Sequence, residues 1–260
     1  MYPKLQTVTV VTAYYNIPSK FTSDTYWKWI SNLCKIPCNL IIFTSQDLQP
    51  KFEQLRKDHM NTRIITLEFD KLHHYQYIDE YREHLKMDFY KKHSPELYII
   101  WAEKVKFVMN AIKSNPFSSD KFIWCDIGAV REPKFMNVFQ NFPQYDKVVD
   151  DKMTFLLLSE PSSQDFIPDD NGIIGKKYED PRPRLGGGIH GGDITSWTRY
   201  DKLWDETLQR YFKARRFAGQ DQCIMYTIVL EHQDLFHIVR PKIYGGDPWF
   251  YLLYHWSKTL

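Results

Sequence analysis

Thr7-Val8-Thr9-Val10-Val11-Thr12 is an unbroken β-branched run close to the start of the chain. It reads as a buried strand of a parallel sheet. The run stops at Ala13-Tyr14-Tyr15-Asn16, and Pro18-Ser19 continue a loop at the strand's carboxyl end. Working outward, Ser23 or Asp24 caps a helix through Trp27 and Ile30. Asn39-Leu40-Ile41-Ile42-Phe43-Thr44 is a second buried strand and Thr62 to Phe69 a third, with helical spacing over Leu48 to His59 between them. Strand, helix, strand, helix, strand opens a parallel α/β sheet with right-handed crossovers.

The rest of the chain extends that pattern. Leu72 to His93 reads as a long polar helical stretch. Ser94-Pro95-Glu96 is a helix start, with Ser as cap and Pro at the first position. Leu97, Trp101, Val105, Val108 and Ile112 then repeat at helical spacing as far as Asn115-Pro116. Lys121-Phe122-Ile123-Trp124-Cys125 is a fourth strand, ending at Asp126-Ile127-Gly128. Beyond residue 150 the pattern is irregular. Met153 to Ser159 reads as a strand, Ser162 to Arg184 as a loop, Trp197 to Phe212 and Asp221 to His232 as helices, and Phe236 to Val239 as a short strand. With no internal repeat and no break in composition, 260 residues fit one large α/β domain.

Composition narrows the classes. The chain is 43% hydrophobic and 16% aromatic, with 17 Tyr, 17 Phe and 8 Trp, enough for a sizeable core and for stacking surfaces that suit carbohydrate. Its net charge of only +2, with Lys and Arg spread along the chain, argues against nucleic acid as partner. The four cysteines, of which only Cys34 and Cys38 are close, form neither a disulfide framework nor a zinc pattern. Met1-Tyr2-Pro3-Lys4 shows no signal peptide, and no run approaches the roughly 18 to 20 apolar residues of a membrane helix. The expected location is cytoplasmic.

Several places carry chemistry. Five of the eleven glycines fall in Gly186-Gly187-Gly188-Ile189-His190-Gly191-Gly192, which reads as a ligand loop where backbone comes close to oxygen atoms. The spacing matches G-x-G-x-x-G, but Pro181-Arg182-Pro183-Arg184 precedes it, and Asp205 and Glu206 sit in a helical pattern, so a dinucleotide fold is excluded. Ligands of parallel sheets bind outside the carboxyl ends of strands. One such end, Thr12-Ala13-Tyr14-Tyr15-Asn16, offers a small residue, an aromatic platform and amide groups, the needs of a nucleobase and ribose. At another, Asp126 emerges from a buried strand and must meet a metal, a cation or strong donors, or else cap the next turn or pair with Arg131. Asp221, after Gly219-Gln220 and before Gln222, starts a helix whose dipole favours the ionised carboxylate. That suits an acceptor-binding group, a base, or a stabiliser of developing positive charge; capping alone also explains it. His255, among late aromatics, completes a metal site with Asp126 or is a packed residue, and His190 is a candidate for phosphate or acceptor contact.

Trp101-x-x-Lys104, Asn115-Pro116-Phe117, Phe122-x-Trp124-x-Asp126-Ile127-Gly128 with Arg131, Gly186 to Gly192 and Gly219-Gln220-Asp221-Gln222 resemble the bacterial HtrL/YibB (WlaTC) family over about residues 7 to 255. The resemblance implies a single GT-A-like α/β domain with a mostly parallel central sheet flanked by helices. Residues 1–130 would form its nucleotide-binding half and 131–260 its acceptor half. It implies a glycosyltransferase moving a sugar from a nucleotide diphosphate sugar, UDP-linked by preference, to a hydroxyl on a glycan. The layout is also similar to retaining transferases of the glycogenin and galactinol synthase type, which leans to retention, while the residues themselves leave inversion open. On that reading the donor meets Thr12, Ala13, Tyr14, Tyr15, Asn16, Trp101, Lys104, Asp126, Gly128, Arg131, Gly187, Gly188 and His190. Asp221 and Gln222 face the chemistry, and a divalent metal, Mn²⁺ by preference, sits on Asp126 and His255. Two departures stand out. Asp126-x-Gly128 replaces the usual Asp-x-Asp, and Asp247 precedes Pro248-Trp249 where a phosphate-binding lysine is expected. Lys104, Arg131 or Lys258 would then supply the positive charge. The competing reading is a non-catalytic nucleotide- or carbohydrate-binding module.

Overall fold

The computed structural model describes residues 7–19, 21–175 and 182–257. Strands Val8–Tyr14 (β1), Asn39–Thr44 (β2), Thr62–Thr66 (β3), Lys121–Cys125 (β4), Met153–Leu157 (β5), Leu185–Asp193 (β6) and Phe236–Val239 (β7) form one sheet. Their order is β3-β2-β1-β4-β6-β5-β7. β1 runs parallel to β2 and β4, β2 to β3, and β5 to β7, while β6 lies antiparallel between β4 and β5. The single α/β domain with a mostly parallel sheet expected from the sequence is what forms, and the two halves of the chain share its sheet.

Helices Ser23–Leu33 (α1), Gln49–Arg56 (α2), Ile78–Met87 (α3), Pro95–Ser114 (α4), Met136–Phe139 (α5), Ile194–Lys213 (α6), Asp221–Glu231 (α7) and Tyr251–Ser257 (α8) cover the two faces. Every residue of β1 is buried, and alternate ones serve opposite cores. Val11 and Ala13 pack with Val105 of α4, Trp204 of α6 and Ile224 of α7. Val10 and Tyr14 pack with Ile30 of α1, Phe52 of α2 and Leu252 of α8. This two-sided burial is the physical reason the strand reads as apolar and β-branched. α4 starts as expected: the Ser94 side chain accepts from the Leu97 amide at 3.3 Å, and Pro95 fills the first turn.

Three local readings are corrected. Thr22, rather than Ser23 or Asp24, caps α1 by accepting from the Thr25 amide. The stretch from Leu72 to His93 is not one helix but a 3₁₀ turn, His73–Tyr77, followed by α3 and an irregular segment. There the Asp88 carboxylate accepts from the Tyr90 amide at 2.9 Å, a side chain competing with the helix for a backbone donor. The glycine cluster is not a loop but most of β6. It is an irregular strand: the pairs Thr154–Gly191 and Leu156–Gly186 set a two-residue step of β5 against a five-residue step of β6. Among the described residues no helix is long and apolar enough to cross a membrane. Pro181 and Lys258 lie outside the described residues.

Candidate functional site

The chain moves from β1 to β2 and β3 on one side, then returns through α4 to β4 on the other side of β1. The order in which strands are added therefore reverses between the parallel neighbours β1 and β4, and a crevice opens outside their carboxyl ends. It contains a cleft of about 500 Å³ joined to a hollow of about 200 Å³. The two share Asp126, Arg131, Trp101, Tyr26 and Phe250 along their common boundary. Because β6 is antiparallel, its first residues, including Gly187 and Gly188, reach the same end of the sheet as the carboxyl end of β4. The Asp126 amide donates to the Gly188 carbonyl at 2.7 Å, which ties the two together.

The cleft floor holds a buried cation between two carboxylates. Lys104 of α4 donates from Nζ to Asp221 Oδ2 at 2.8 Å and to the Gly187 carbonyl at 2.9 Å. Asp126 Oδ1 lies 3.2 Å from the same nitrogen. Trp124 Nε1 donates to Asp126 Oδ1 at 2.8 Å, a contact made possible because residues two apart on a strand share a face. Burial opposes the charge on Lys104, but the Asp126 and Asp221 carboxylates outweigh it and hold the ammonium above the ordinary lysine range. For Asp221 burial dominates and raises its carboxyl. The Asp126 charge adds to that, while Lys104 and the Gln222 amide, 2.9 Å from Asp221 Oδ1, pull it back. The direction is opposite to the one expected from the helix dipole alone. Desolvation at a site only 4% exposed exceeds the benefit of a helix start.

This cluster explains two of the glycines. A Cβ on Gly187 would lie 3.0 Å from Asp221 Oδ2, and one on Gly188 would lie 3.0 Å from the Phe250 ring and 3.2 Å from Asp126 Oδ2. Any side chain at either position would press on the carboxylates or close the cleft. The glycines are there for close approach, as the sequence suggested, but on a strand.

Above the floor, Arg131 stacks its guanidinium on Trp29 at 4.5 Å and on Phe250 at 4.7 Å, and donates from Nε to the Gly128 carbonyl at 3.3 Å. Among the described residues no carboxylate forms an ion pair with it, so it lines the cleft as a cation held in place by aromatic rings and open to an anion. Trp101, Tyr26, Phe21 and Trp249 add further aromatic wall. Ala13, Tyr14, Tyr15, Asn16 and Gly128 line the smaller hollow, and Gln222 lines the larger. The tyrosines are committed to packing: Tyr15 stacks on Phe107 and donates to the Leu67 carbonyl, and Tyr14 meets Trp27 edge-on.

Three expected residues stand elsewhere. Thr12 is fully buried in β1, one residue short of the crevice. His190, facing Phe155 and Trp197 in the core, lines neither space. Burial, with help from Lys104, pushes its pKa well below the ordinary value, so it is a neutral ring and not an anion contact. His255 sits on α8, where its titration answers to burial and to Lys147, His237 and Lys242 and not to Asp126. Among the described residues no ion pair or hydrogen bond joins Asp126 to His255, and His255 lines neither space. Of the expected pair, Asp126 Oδ2 remains for a cation, since Oδ1 already meets Trp124 and Lys104. One carboxylate oxygen fits a divalent ion that brings most of its ligands with it, as ions bound to a diphosphate do.

One group on the wall, His93, and the buried carboxylate behind it, Asp88, went unread in the sequence. Asp88 Oδ2 lies 2.6 Å from His93 Nδ1 and accepts from the Tyr98 hydroxyl at 2.5 Å, so the imidazole enters the cleft in a fixed orientation. Their place inside an apparently helical polar stretch hid them; the Ser94-Pro95 break just after His93 was the available signal.

Comparison with known proteins follows the same outline. The chain is 25% identical to protein HtrL of Escherichia coli (strain K12) over 248 residues, 87% of this chain and 80% of that protein. In structure it resembles mouse xyloside xylosyltransferase 1, with a TM-score of 0.49 and 13% identity over 89% of this chain and 84% of the other. It also resembles the 4-diphosphocytidyl-2C-methyl-D-erythritol synthase of Anaerococcus prevotii DSM 20548, with a TM-score of 0.43 and 8% identity over 96% and 97% of the two chains. At these scores the likeness is one of general layout and says nothing of chemistry. Residues 6–254 match the family described as "Bacterial protein of unknown function (HtrL_YibB)", and the chain belongs to that family.

Proposed function

We propose that the protein is a glycosyltransferase that takes a sugar from a nucleotide diphosphate sugar, UDP-linked by preference, and passes it to a hydroxyl acceptor on a glycan. The observation that carries this reading is the pairing, in one crevice where the strand order reverses, of a guanidinium that meets no carboxylate among the described residues with a lysine–dicarboxylate cluster. The smaller hollow, built mostly from the first half of the chain with Arg131 and Phe250 from the second, takes the nucleoside, and Arg131 at the boundary takes the diphosphate. The larger cleft, to which Gly187, Gly188, Asp221 and Gln222 contribute, takes the sugar and the acceptor.

Transfer leaves negative charge on the departing diphosphate and positive charge at the sugar carbon. Arg131 answers the first. Asp221, kept in place by Lys104, answers the second. A divalent ion, Mn²⁺ by preference, would be held by Asp126 Oδ2 together with the diphosphate, and when bound it supplies further positive charge to the leaving group. Such an ion enters with the nucleotide.

Calorimetry with UDP, GDP and CDP, each with and without Mn²⁺, tests the reading. Binding of a nucleotide diphosphate, with slow hydrolysis of its sugar conjugate, supports it. Asp126→Asn is expected to weaken the Mn²⁺-dependent part of binding while the fold stays intact. Nucleotide at 100 times its dissociation constant adds about 2.7 kcal/mol to the native state. A thermal melt unmoved by millimolar amounts of all three nucleotides and their sugars with Mn²⁺ present overturns it.

A further inference from the structure

The 3₁₀ turn His73–Tyr77 carries an arrangement unrelated to the cleft chemistry. His74 is fully buried, and its Nδ1 lies 2.7 Å from Glu103 Oε2. Glu103 is itself buried on α4, and its two oxygens also accept from the His73 and His74 amides, each at 2.9 Å. A carboxylate on Nδ1 fixes the proton there and leaves the lone pair of the neutral ring on Nε2. That nitrogen is buried with no hydrogen-bond partner. A buried polar atom without a partner is costly and calls for a specific explanation.

Two further groups lie close to the His74 ring. Ligand atoms of His73, His74 and Asp205 all lie within 4.8 Å of one another. Asp205, on α6, has one oxygen paired with Lys106 at 2.7 Å, and Lys106 also binds Asp201 at 2.6 Å. Lys106 therefore keeps a counter-charge if the Asp205 carboxylate turns toward another cation. A carboxylate behind an imidazole whose other nitrogen is open is the outer-shell pattern that orients metal-bound histidines.

We propose that His73, His74 and Asp205 bind a divalent transition-metal cation of the zinc class, with Glu103 as the outer-shell carboxylate. Two imidazoles and one carboxylate suit zinc, with water in the fourth position. Ligand atoms around tetrahedral zinc are about 3.3 Å apart for bonds of about 2.0 Å, so exposed His73 and half-exposed Asp205 close in by a side-chain rotation. The ion would pin the turn onto α4 and α6. It does not depend on the glycosyltransferase reading.

The test uses the full chain, treated with chelator and titrated with Zn²⁺ by calorimetry and with Co²⁺ by visible absorption. One equivalent of Zn²⁺ is expected, and Co²⁺ should give the absorption of a four-coordinate site. His73→Ala and Asp205→Asn, on separate elements and outside the core, should each weaken binding at least tenfold, and together abolish it. Asp126→Asn and added UDP should leave it unchanged. Absence of binding overturns the proposal, as does full affinity in both single variants. Loss of the ion in Asp126→Asn alone also overturns it and assigns the cation to the cleft.

Discussion

Replacing Lys104 with methionine removes the cation between Asp126 and Asp221 at nearly constant volume. Both Lys104 and Asp221 side chains are 4% exposed, so the charge left on Asp221 has no water to turn to. Breaking a buried pair by deleting one partner costs about 3–5 kcal/mol. Asp126 is 34% exposed, so solvent screens its share and the lower end applies. A loss of about 3 kcal/mol lowers Tm by roughly 6–12 °C in a chain of this size. The pH dependence has a definite sign. In the variant Asp221 has a folded-state pKa raised further by burial, so its protonated form is stabilised. That contribution is present below the ordinary carboxyl range and is lost as pH rises through the raised value. Lys104→Met should therefore gain stability from pH 8 to pH 5 relative to the parent. Adding Asp221→Asn removes the stranded carboxylate, and the double variant should recover at least about 1 kcal/mol relative to the sum of the singles. Urea denaturation of the four proteins across that pH range provides the measurement. A single variant within about 1 kcal/mol of the parent, or strict additivity, refutes Lys104 as the buried counter-charge.

Two other outcomes follow from the same geometry. Asp221→Asn keeps an acceptor for Lys104 but removes the anion. Steady-state kinetics should show kcat down by about 10²-fold with donor affinity nearly unchanged, and normal turnover excludes Asp221 from the chemical step. His190→Phe replaces a ring whose two nitrogens are both buried and unpartnered. The folded-state pKa of His190 is depressed, so the parent loses stability as pH falls below the ordinary histidine range, by up to about 1.4 kcal/mol per pH unit. The variant should be more stable at neutral pH and should lack that loss; equal acid sensitivity in both proteins contradicts it.

Much of this molecule follows from local rules. β1, β2 and β4 are legible because strands buried on both faces must be apolar throughout. The start of α4 at Ser94-Pro95 and of α7 at Asp221 are legible because caps and dipoles act within one turn. Asp126 could be singled out because a carboxylate at the end of an apolar strand has to be answered by something. What answers it is a different matter. Lys104 and Asp221 are 117 residues apart, and only the packing of α4 and α7 against the same face of the sheet brings their charges together. The glycine cluster misleads for a related reason. Five glycines have no side-chain alternation to announce a strand, and the need for Gly187 and Gly188 lies in the carboxylates and aromatic rings that other segments press against β6. His190 and His255 are indistinguishable from ligands by residue type. A histidine becomes a ligand, a base or a core ring according to what surrounds it, and those neighbours are set by the tertiary fold.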